Sequence, residues 1–179
     1  FETEDLVLMC NGEIYNDIKL KEMYSDYKYI SHSDCEVLLP LYLDKGPAMG
    51  PYLDAEFVFV LFDKQRDIVV AGRDPIGIRP LFYGYLKENG TIAFASEAKA
   101  LKDICDHIEP FPIGTLYYDG EWITYTDVTS TSYTITDMGL ALAKIKHKLI
   151  EGVKKRMMSD VPIGYLLSGG LDSSLVAAI

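Results

Sequence analysis

A short stretch near the C-terminal end constrains the fold of this chain more than any other. Residues 162–174 read PIGYLLSGGLDSS, an apolar run that stops at Ser168 and is followed by paired glycines. The apolar run predicts a buried β-strand, and Asp172 or Ser173 is the expected N-cap of a helix over residues 175–179. A strand, a glycine turn and a helix N-terminus in this order predict an anion-binding site.

The turn also has the side chains that a phosphate site requires. Gly169 and Gly170 let the backbone approach a ligand closely, and the hydroxyls of Ser168, Ser173 and Ser174 can donate hydrogen bonds to phosphate oxygens. The spacing matches neither the Walker loop nor Gly-x-Gly-x-x-Gly. It resembles the pyrophosphate loop Ser-Gly-Gly-x-Asp-Ser of enzymes that split ATP into AMP and pyrophosphate. The resemblance implies Mg²⁺ near Asp172 and ATP binding by Leu167, Ser168, Gly169, Gly170, Asp172 and Ser173. The alternative is a turn that binds nothing.

Composition excludes several classes of function. The 179 residues carry a formal net charge of −10, which argues against nucleic acid or an anionic membrane as the main partner. No apolar run is long enough to span a bilayer. Three widely spaced cysteines suit reduced thiols in a cytosol, and the three histidines show no metal-ligand spacing. We expect a cytoplasmic globular chain whose partners are small molecules.

A polar string near the N-terminus carries candidate catalytic residues. Residues 11–16 read NGEIYN and follow an apolar strand predicted at residues 6–10. The string resembles a hallmark of class II glutamine amidotransferase domains, above all that of the glutamine-hydrolysing asparagine synthetases. The resemblance implies that Asn11 and Gly12 form an oxyanion hole, since an amide side chain and a glycine N–H can point at one developing oxyanion. The alternative is an ordinary Asn-Gly hairpin turn.

A second string, SHSDCEV at residues 31–37, predicts the start of a helix. Ser33 or Asp34 is the expected N-cap, and an apolar face is expected from Glu36 or Val37 onward. In the resembling family the aspartate of Ser-Asp-x-Glu and the glutamate of Asn-Gly-Glu hold the α-ammonium of glutamine. Glutamine binding is therefore implied for Asp34 and Glu13, and a carboxylate pair suits an ammonium group. The alternative leaves Asp34 with a capping role.

Residues 52–125 have the pattern of β-strands. The run EFVFVLF at 56–62 is typical of a strand buried on both faces, with further strands expected at 68–71, 81–86, 91–96, 116–118 and 122–125. Two strings of the resembling family, Gly-Arg-Asp-x-x-Gly-x-x-Pro-Leu and Phe-Ala-Ser-Glu-x-Lys-Ala-Leu, begin at residues 72 and 94. We assign them to the core and to the path between domains. Alternatively, Arg73, Asp74 and Glu97 form a buried ion-pair set.

Composition shifts after residue 126 to a segment rich in Ser and Thr, followed by apolar residues at helical spacing from Leu142 to Met157. The predicted organisation is a glutamine amidotransferase type-2 domain at 1–126, a linker at 127–137 and the start of an ATP-binding domain at 138–179. The resemblance implies an α+β fold. Its first part is an N-terminal-nucleophile-type αββα sandwich, incomplete here, and its second is the beginning of an α/β pyrophosphate-loop domain.

The resemblance covers nearly the whole chain and implies a ligase with two linked sites. One site releases ammonia from glutamine. The other activates the aspartate side chain as an acyl-adenylate with ATP and Mg²⁺, and ammonia attacks this adenylate to give asparagine, AMP and pyrophosphate. The resemblance leaves room for a homodimer of the full-length enzyme.

The chain also departs from the family pattern. The family nucleophile is an N-terminal cysteine, whereas residue 1 is Phe, and the chain stops at Ile179 soon after the phosphate loop. We therefore expect a fragment of a longer enzyme, inactive on its own, in which Cys10 is no substitute nucleophile. The string LDAEF at 53–57 differs from the usual Leu-x-Gly-Met-Phe. The alternatives are a non-catalytic remnant or binding module, or a related amide-forming enzyme such as a β-lactam synthetase.

Overall fold

The computed structural model describes residues 1–130, 134–159 and 161–179. It divides into two compact units, Phe1–Ser130 and Thr131–Ile179. The linker predicted at 127–137 includes residues 131–133, which lie outside the described residues. The domain boundaries of the sequence analysis therefore stay a prediction.

The first unit alternates short helices with antiparallel strands. Its helices are α1 (Asp17–Met23) and α2 (Leu38–Lys45), and a 3₁₀ helix at Asp34–Val37 leads directly into α2. The strands are β1 (Leu6–Ile14), β2 (Ala55–Asp63), β3 (Ile68–Arg73), β4 (Phe82–Leu86), β5 (Ile92–Ala95), β6 (Cys105–Pro110), β7 (Thr115–Tyr118) and β8 (Glu121–Thr124).

The strands form two sheets that pack face to face. The larger sheet has the order β1-β2-β3-β7-β8 and the smaller one the order β5-β4-β6. One buried cluster joins α1, α2 and the 3₁₀ helix to the outer face of the larger sheet. A second cluster, which includes Val58, Ala71 and Phe111, lies between the two sheets. The described part of the first unit therefore has a helical layer followed by two sheets, an α+β architecture.

Strand β2 shows why the sequence builds these layers. Phe57, Phe59 and Leu61 alternate with Val58 and Val60, and the two sets belong to different clusters. Because successive side chains of a strand point to opposite faces, a strand between a helical layer and a second sheet must be apolar at nearly every position. The strand predicted at residues 56–62 is confirmed.

Two features of the first unit differ from expectation. The Asn11–Gly12 pair is not a turn, because β1 continues through it and pairs Asn11 with Val58 and Gly12 with Phe57. Strand β6, an edge strand of the smaller sheet, was not predicted from the sequence. Its side chains are mostly exposed and several are charged, so no apolar alternation marked it.

The second unit contains α3 (Met138–Lys155) and α4 (Leu171–Ala178). Asp137 caps α3 by accepting a hydrogen bond from the Leu140 N–H at 2.6 Å. The helix predicted from its apolar spacing is thus confirmed. Among the described residues, no helix combines the length and apolar character that crossing a membrane requires.

Two predictions for the second unit were wrong. The buried strand expected at residues 162–167 is absent from the described residues, and Leu166 is 98% exposed. A strand needs a neighbour for its backbone N–H and C=O groups, and the described part of this unit contains no other strand. Helix α4 begins at Leu171 with Gly170 as its N-cap, not Asp172 or Ser173.

Candidate functional site

The residues of the predicted oxyanion hole lie on β1, an edge strand of the larger sheet. Asn11 and Glu13 are exposed and, two residues apart, point to the same face. Gly12 lies between them, where an added Cβ would stand 2.4 Å from the Glu56 carbonyl oxygen. Asn11 also lines an open cleft of about 310 Å³, together with Val60 of β2, Phe94 of β5 and the flanking residues Leu81 and Ser96.

Asp34 is held against the same strand. The Ser33 hydroxyl accepts a hydrogen bond from the Cys35 N–H at 3.2 Å and so caps the 3₁₀ helix, as predicted. The Asp34 Oδ2 atom accepts a hydrogen bond from the Ile14 N–H at 2.5 Å. Asp34 therefore reaches across to β1 instead of capping its own helix. The structure brings Asn11, Gly12, Glu13 and Asp34 together at one end of one strand.

The Glu36 carboxylate, which the sequence analysis assigned to an apolar face, supports this arrangement. Glu36 is fully buried. It accepts hydrogen bonds from the Ile30 N–H at 2.7 Å, the Ser31 N–H at 2.8 Å and the Ser31 hydroxyl at 2.5 Å. A buried carboxylate is tolerated when donors surround it, so Glu36 fixes the segment that leads to Asp34. The Ser-Asp-x-Glu spacing was the signal that could have identified it.

Arg73 and Asp74 organise the loop between β3 and β4. Asp74 is 1% exposed and accepts backbone N–H bonds from residues 76–79 at 2.7 to 3.1 Å. The Arg73 guanidinium donates to three carbonyl oxygens, those of Gly77, Arg79 and Phe111. Glu97 lies outside this loop and forms an ion pair with Lys99, whose Nζ atom is 2.5 Å from the Glu97 Oε2 atom. The proposed ion-pair set of Arg73, Asp74 and Glu97 is therefore wrong, because backbone groups satisfy the first two.

Arg79 of this loop forms an ion pair with Glu56 of β2, the strand that pairs with β1 at Glu13. The Arg79 Nη2 atom lies 2.8 Å from the Glu56 Oε1 atom, and the Tyr15 hydroxyl donates to Glu56 Oε2 at 2.8 Å. Glu56 stands directly opposite Glu13 across β1 and β2. The negative charges of Glu13 and Glu56 repel each other at these positions, and the positive charge of Arg79 offsets that of Glu56. In the string LDAEF at 53–57, Glu56 stands where the family pattern has Met, and this difference was the sequence signal for the Glu56 carboxylate.

Cys10 has the properties of a protonated thiol. Its Sγ atom donates to the Cys35 Sγ atom at 3.3 Å. That hydrogen bond, with burial and the nearby Asp34 carboxylate, raises the pKa of Cys10 well above its ordinary value, while Arg79 opposes the shift. The nucleophilic form of cysteine is the thiolate. The structure therefore favours the interpretation that Cys10 is no substitute nucleophile.

The predicted phosphate loop forms a turn at the N-terminus of α4. Gly169 has a φ of +80°, in the left-handed region that favours glycine. The Ser168 and Ser173 hydroxyl oxygens lie 2.9 Å apart, and Ser173 also donates to the Gly170 carbonyl oxygen at 3.2 Å. The N-cap residue Gly170 has no side chain that could cap α4, so the first N–H groups of the helix can bind a ligand. Asp172 stands in the first turn of α4, and Leu167 is 64% exposed.

Comparisons with known proteins define the class of this chain. Residues 1–124 match the family model described as a glutamine amidotransferase domain, and the chain belongs to that family. Residues 144–179 match a second model, described as asparagine synthase. Together the two matches confirm the resemblance to the glutamine-hydrolysing asparagine synthetases.

Curated relatives agree with both models. The chain is 46% identical over 180 residues to a probable asparagine synthetase (glutamine-hydrolyzing) of Schizosaccharomyces pombe, an alignment covering 97% of this chain and 32% of the relative. It is 42% identical over 184 residues to asparagine synthetase B (glutamine-hydrolyzing) of Escherichia coli, with the same coverage of each. The chain thus spans about a third of the length of these relatives.

Solved structures confirm the fold class. A glutamine phosphoribosylpyrophosphate amidotransferase from B. subtilis superposes with a TM-score of 0.59 at 20% identity, over 70% of this chain and 30% of that one. A structure described as the allosteric regulatory enzyme of purine biosynthesis gives 0.55 at 21% identity, over 66% and 27%. The predicted N-terminal-nucleophile-type α+β architecture is confirmed as a fold.

Proposed function

We propose that this chain is part of a glutamine-dependent asparagine synthetase. The reaction converts ATP, L-aspartate, L-glutamine and water to L-asparagine, AMP, pyrophosphate and L-glutamate. The observation that carries the proposal is the order of two family matches on one chain, an amidotransferase domain at 1–124 and an asparagine synthase segment at 144–179. The proposed enzyme works in the cytoplasm on small molecules.

The first unit supplies the groups that bind and polarise glutamine. The Asp34 and Glu13 carboxylates hold the α-ammonium group, and their position at the end of β1 supports this role. The Asn11 amide and the Gly12 N–H stabilise the oxyanion that forms when the side-chain amide of glutamine is attacked. An N-terminal cysteine is the attacking group in the family, and neither Phe1 nor the protonated Cys10 takes that role.

The second unit supplies the start of the ATP site. The N–H groups of the α4 N-terminus and the hydroxyls of Ser168 and Ser173 bind the pyrophosphate end of ATP. Leu167, Gly169 and Gly170 complete the loop. ATP is needed because a carboxylate is a poor acyl donor, and adenylation converts one of its oxygens into a good leaving group.

Asp172 fits the requirements of a Mg²⁺ ligand. It is an exposed carboxylate beside the loop, and Mg²⁺ is usually held by one or two carboxylates together with substrate phosphates and water. Among the described residues, no group of three or more His, Cys, Asp or Glu side chains could enclose a metal alone. A Mg²⁺ ion at Asp172 would neutralise charge on the phosphate oxygens.

Two isosteric variants of the proposed full-length synthetase test this division of labour. Asp34→Asn keeps an oxygen for the Ile14 N–H but loses the negative charge. It should raise the KM for glutamine about 10- to 100-fold, the loss of one charge-assisted hydrogen bond, with ammonia-dependent asparagine formation retained. Asp172→Asn should impair ATP use and leave glutamine hydrolysis largely intact.

Asp26→Asn is the control, because this exposed residue carries the same charge outside both sites. It should leave both activities at the wild-type level. Equal losses of both activities in Asp34→Asn or in Asp172→Asn would refute the two-site assignment. A folded full-length protein that forms no asparagine from ATP, aspartate and ammonia would refute the synthetase proposal itself.

A further inference from the structure

Two of the three cysteines lie side by side where the 3₁₀ helix meets β1. The Cys10 thiol donates to Cys35 Sγ at 3.3 Å, and the Cys35 thiol donates to the Gly12 carbonyl oxygen at 3.5 Å. The Asp34–Ile14 hydrogen bond ties the residue before Cys35 to β1, the strand that carries Cys10. The two sulfur atoms are therefore held together by the contacts around them, across 25 residues of sequence.

We propose that Cys10 and Cys35 form an oxidisable dithiol, a site of covalent modification at which a peroxide closes a disulfide between β1 and the 3₁₀ helix. A disulfide has an S–S distance of about 2.05 Å, so the sulfur atoms need to approach by only about 1.3 Å. The 3₁₀ helix contains four residues, and a shift of this size is within what a rotation of the two side chains and a small movement of that segment supply.

The reaction balances with hydrogen peroxide as the two-electron oxidant. Cys10 is the sulfur that peroxide can reach, because it is half-buried and lines the open cleft between the sheets, whereas Cys35 is 7% exposed. Its conversion to a sulfenic acid, with release of one water, is slow, because its raised pKa leaves little thiolate at pH 8. The Cys35 thiol, held beside it, then attacks the sulfenic sulfur, forming the disulfide and releasing a second water.

Cys105 provides an internal control. It is 3% exposed and belongs to β6 in the smaller sheet, whereas Cys10 lies on β1 of the larger sheet and Cys35 in the 3₁₀ helix that contacts β1. A reagent that oxidised thiols without regard to geometry would not distinguish Cys105 from Cys35, since both are buried. The proposal therefore requires a selective loss of two thiols out of three.

The test uses the folded 179-residue chain and hydrogen peroxide at pH 8. After oxidation, remaining thiols are alkylated in denaturant and the chain is digested with trypsin without reduction. The expected product is peptide 1–19 joined to peptide 29–45, with Cys105 alkylated in peptide 103–144. Reduction with dithiothreitol should release both peptides, and the oxidised chain should unfold at a higher urea concentration than the reduced chain, because the cross-link restricts the unfolded state.

A Cys35→Ser variant should yield no cross-linked peptide under the same treatment. The proposal is overturned if the wild-type chain gives the cross-link only when unfolded in urea, or if Cys10 and Cys105 are consumed together. Conversion of Cys10 to its sulfinic acid with Cys35 still free would overturn it as well. None of these results depends on glutamine or ATP, so failure here leaves the proposed synthetase function untouched.

Discussion

Gly12 of β1 lies so close to Phe57 of β2 that a Cβ on Gly12 would stand 2.8 Å from both the Cα and the Cβ of Phe57. The Glu56 carbonyl oxygen would be closer still, at 2.4 Å. The obstructing atoms are mostly backbone of the neighbouring strand, which cannot rotate away as a flexible side chain could. Glycine is therefore required at position 12 because a larger side chain would not fit, and not because the backbone of β1 needs an unusual conformation there.

Gly12→Ala should destabilise the first unit by about 1–3 kcal/mol, the usual cost of forcing a methyl group into filled space. The measurement is urea unfolding followed by the fluorescence of Trp122, which belongs to this unit. Gly152→Ala is the matched control, since its Cβ would meet only the Arg156 side chain at 3.8 Å, within a helix. A first-unit midpoint that is equal in both variants would contradict the steric argument.

Glu36→Gln should lower the free energy of unfolding of the first unit by about 1.5–3 kcal/mol, the range for hydrogen bonds to a charged group. The buried carboxylate accepts from three donors, and an amide replaces one accepting oxygen with an NH₂ group that faces donors. Urea unfolding at pH 7 measures the change.

The control for Glu36 is Glu22→Gln, which removes the same charge from an exposed position on α1. It should change stability by less than about 0.5 kcal/mol. If Glu36→Gln proves as mild as its control, the carboxylate does not hold the segment before Asp34.

The sequence predicts the structure correctly where local pattern and global packing agree. The run at 56–62 is apolar at successive positions because β2 is covered on both faces, and the spacing from Leu142 to Met157 has the period of a helix. The turn predicted at Asn11–Gly12 was wrong, because turn propensity depends on neighbouring residues, whereas the pairing of β1 with β2 depends on residues far away in the sequence. The prediction also failed for the apolar segment at 162–167, whose strand character needs a neighbour that the described residues do not supply.

The candidate site shows the same limit. The strings NGEIYN and SHSDCEV identified Asn11, Gly12, Glu13 and Asp34 as candidates, and the structure brings them together. Contacts between distant segments were invisible in the sequence. The Glu56–Arg79 pair and the Cys10–Cys35 pair join residues 23 and 25 positions apart, and no local pattern encodes such a meeting.

Alkylation of Cys10 in the folded chain should be slow and should accelerate continuously with pH. The Cys35 hydrogen bond, burial and the Asp34 carboxylate raise the pKa of Cys10, with Arg79 opposing, so little thiolate is present where an ordinary cysteine ionises. The rate of modification by iodoacetamide, followed by peptide mass spectrometry from pH 7 to 10, should keep rising through pH 10 without levelling off. The same chain in urea is the control, and its rate should begin to level off above the ordinary thiol pKa of 9.0.

The raised pKa of Cys10 also predicts the sign of a stability change. The folded state holds the proton more tightly than the unfolded state, so its contribution to stability is complete below the ordinary thiol pKa of 9.0 and is lost as the pH rises above it. Cys10→Ala should flatten that alkaline decline. A decline of equal slope in wild type and variant would show that the thiol is not its source.

Gly169→Ala in the proposed full-length synthetase should raise the KM for ATP about 10-fold, corresponding to the 1–2 kcal/mol that a side chain costs in the left-handed region. A Cβ at Gly169 would meet no heavy atom within 4 Å, so the effect comes from the backbone conformation alone. Gly90→Ala is the matched control, because Gly90 has a φ of +72°, is equally open and lies in the first unit. Pyrophosphate release against ATP concentration measures the difference. If both variants alter ATP use equally, the turn before α4 does not set the geometry of the phosphate site.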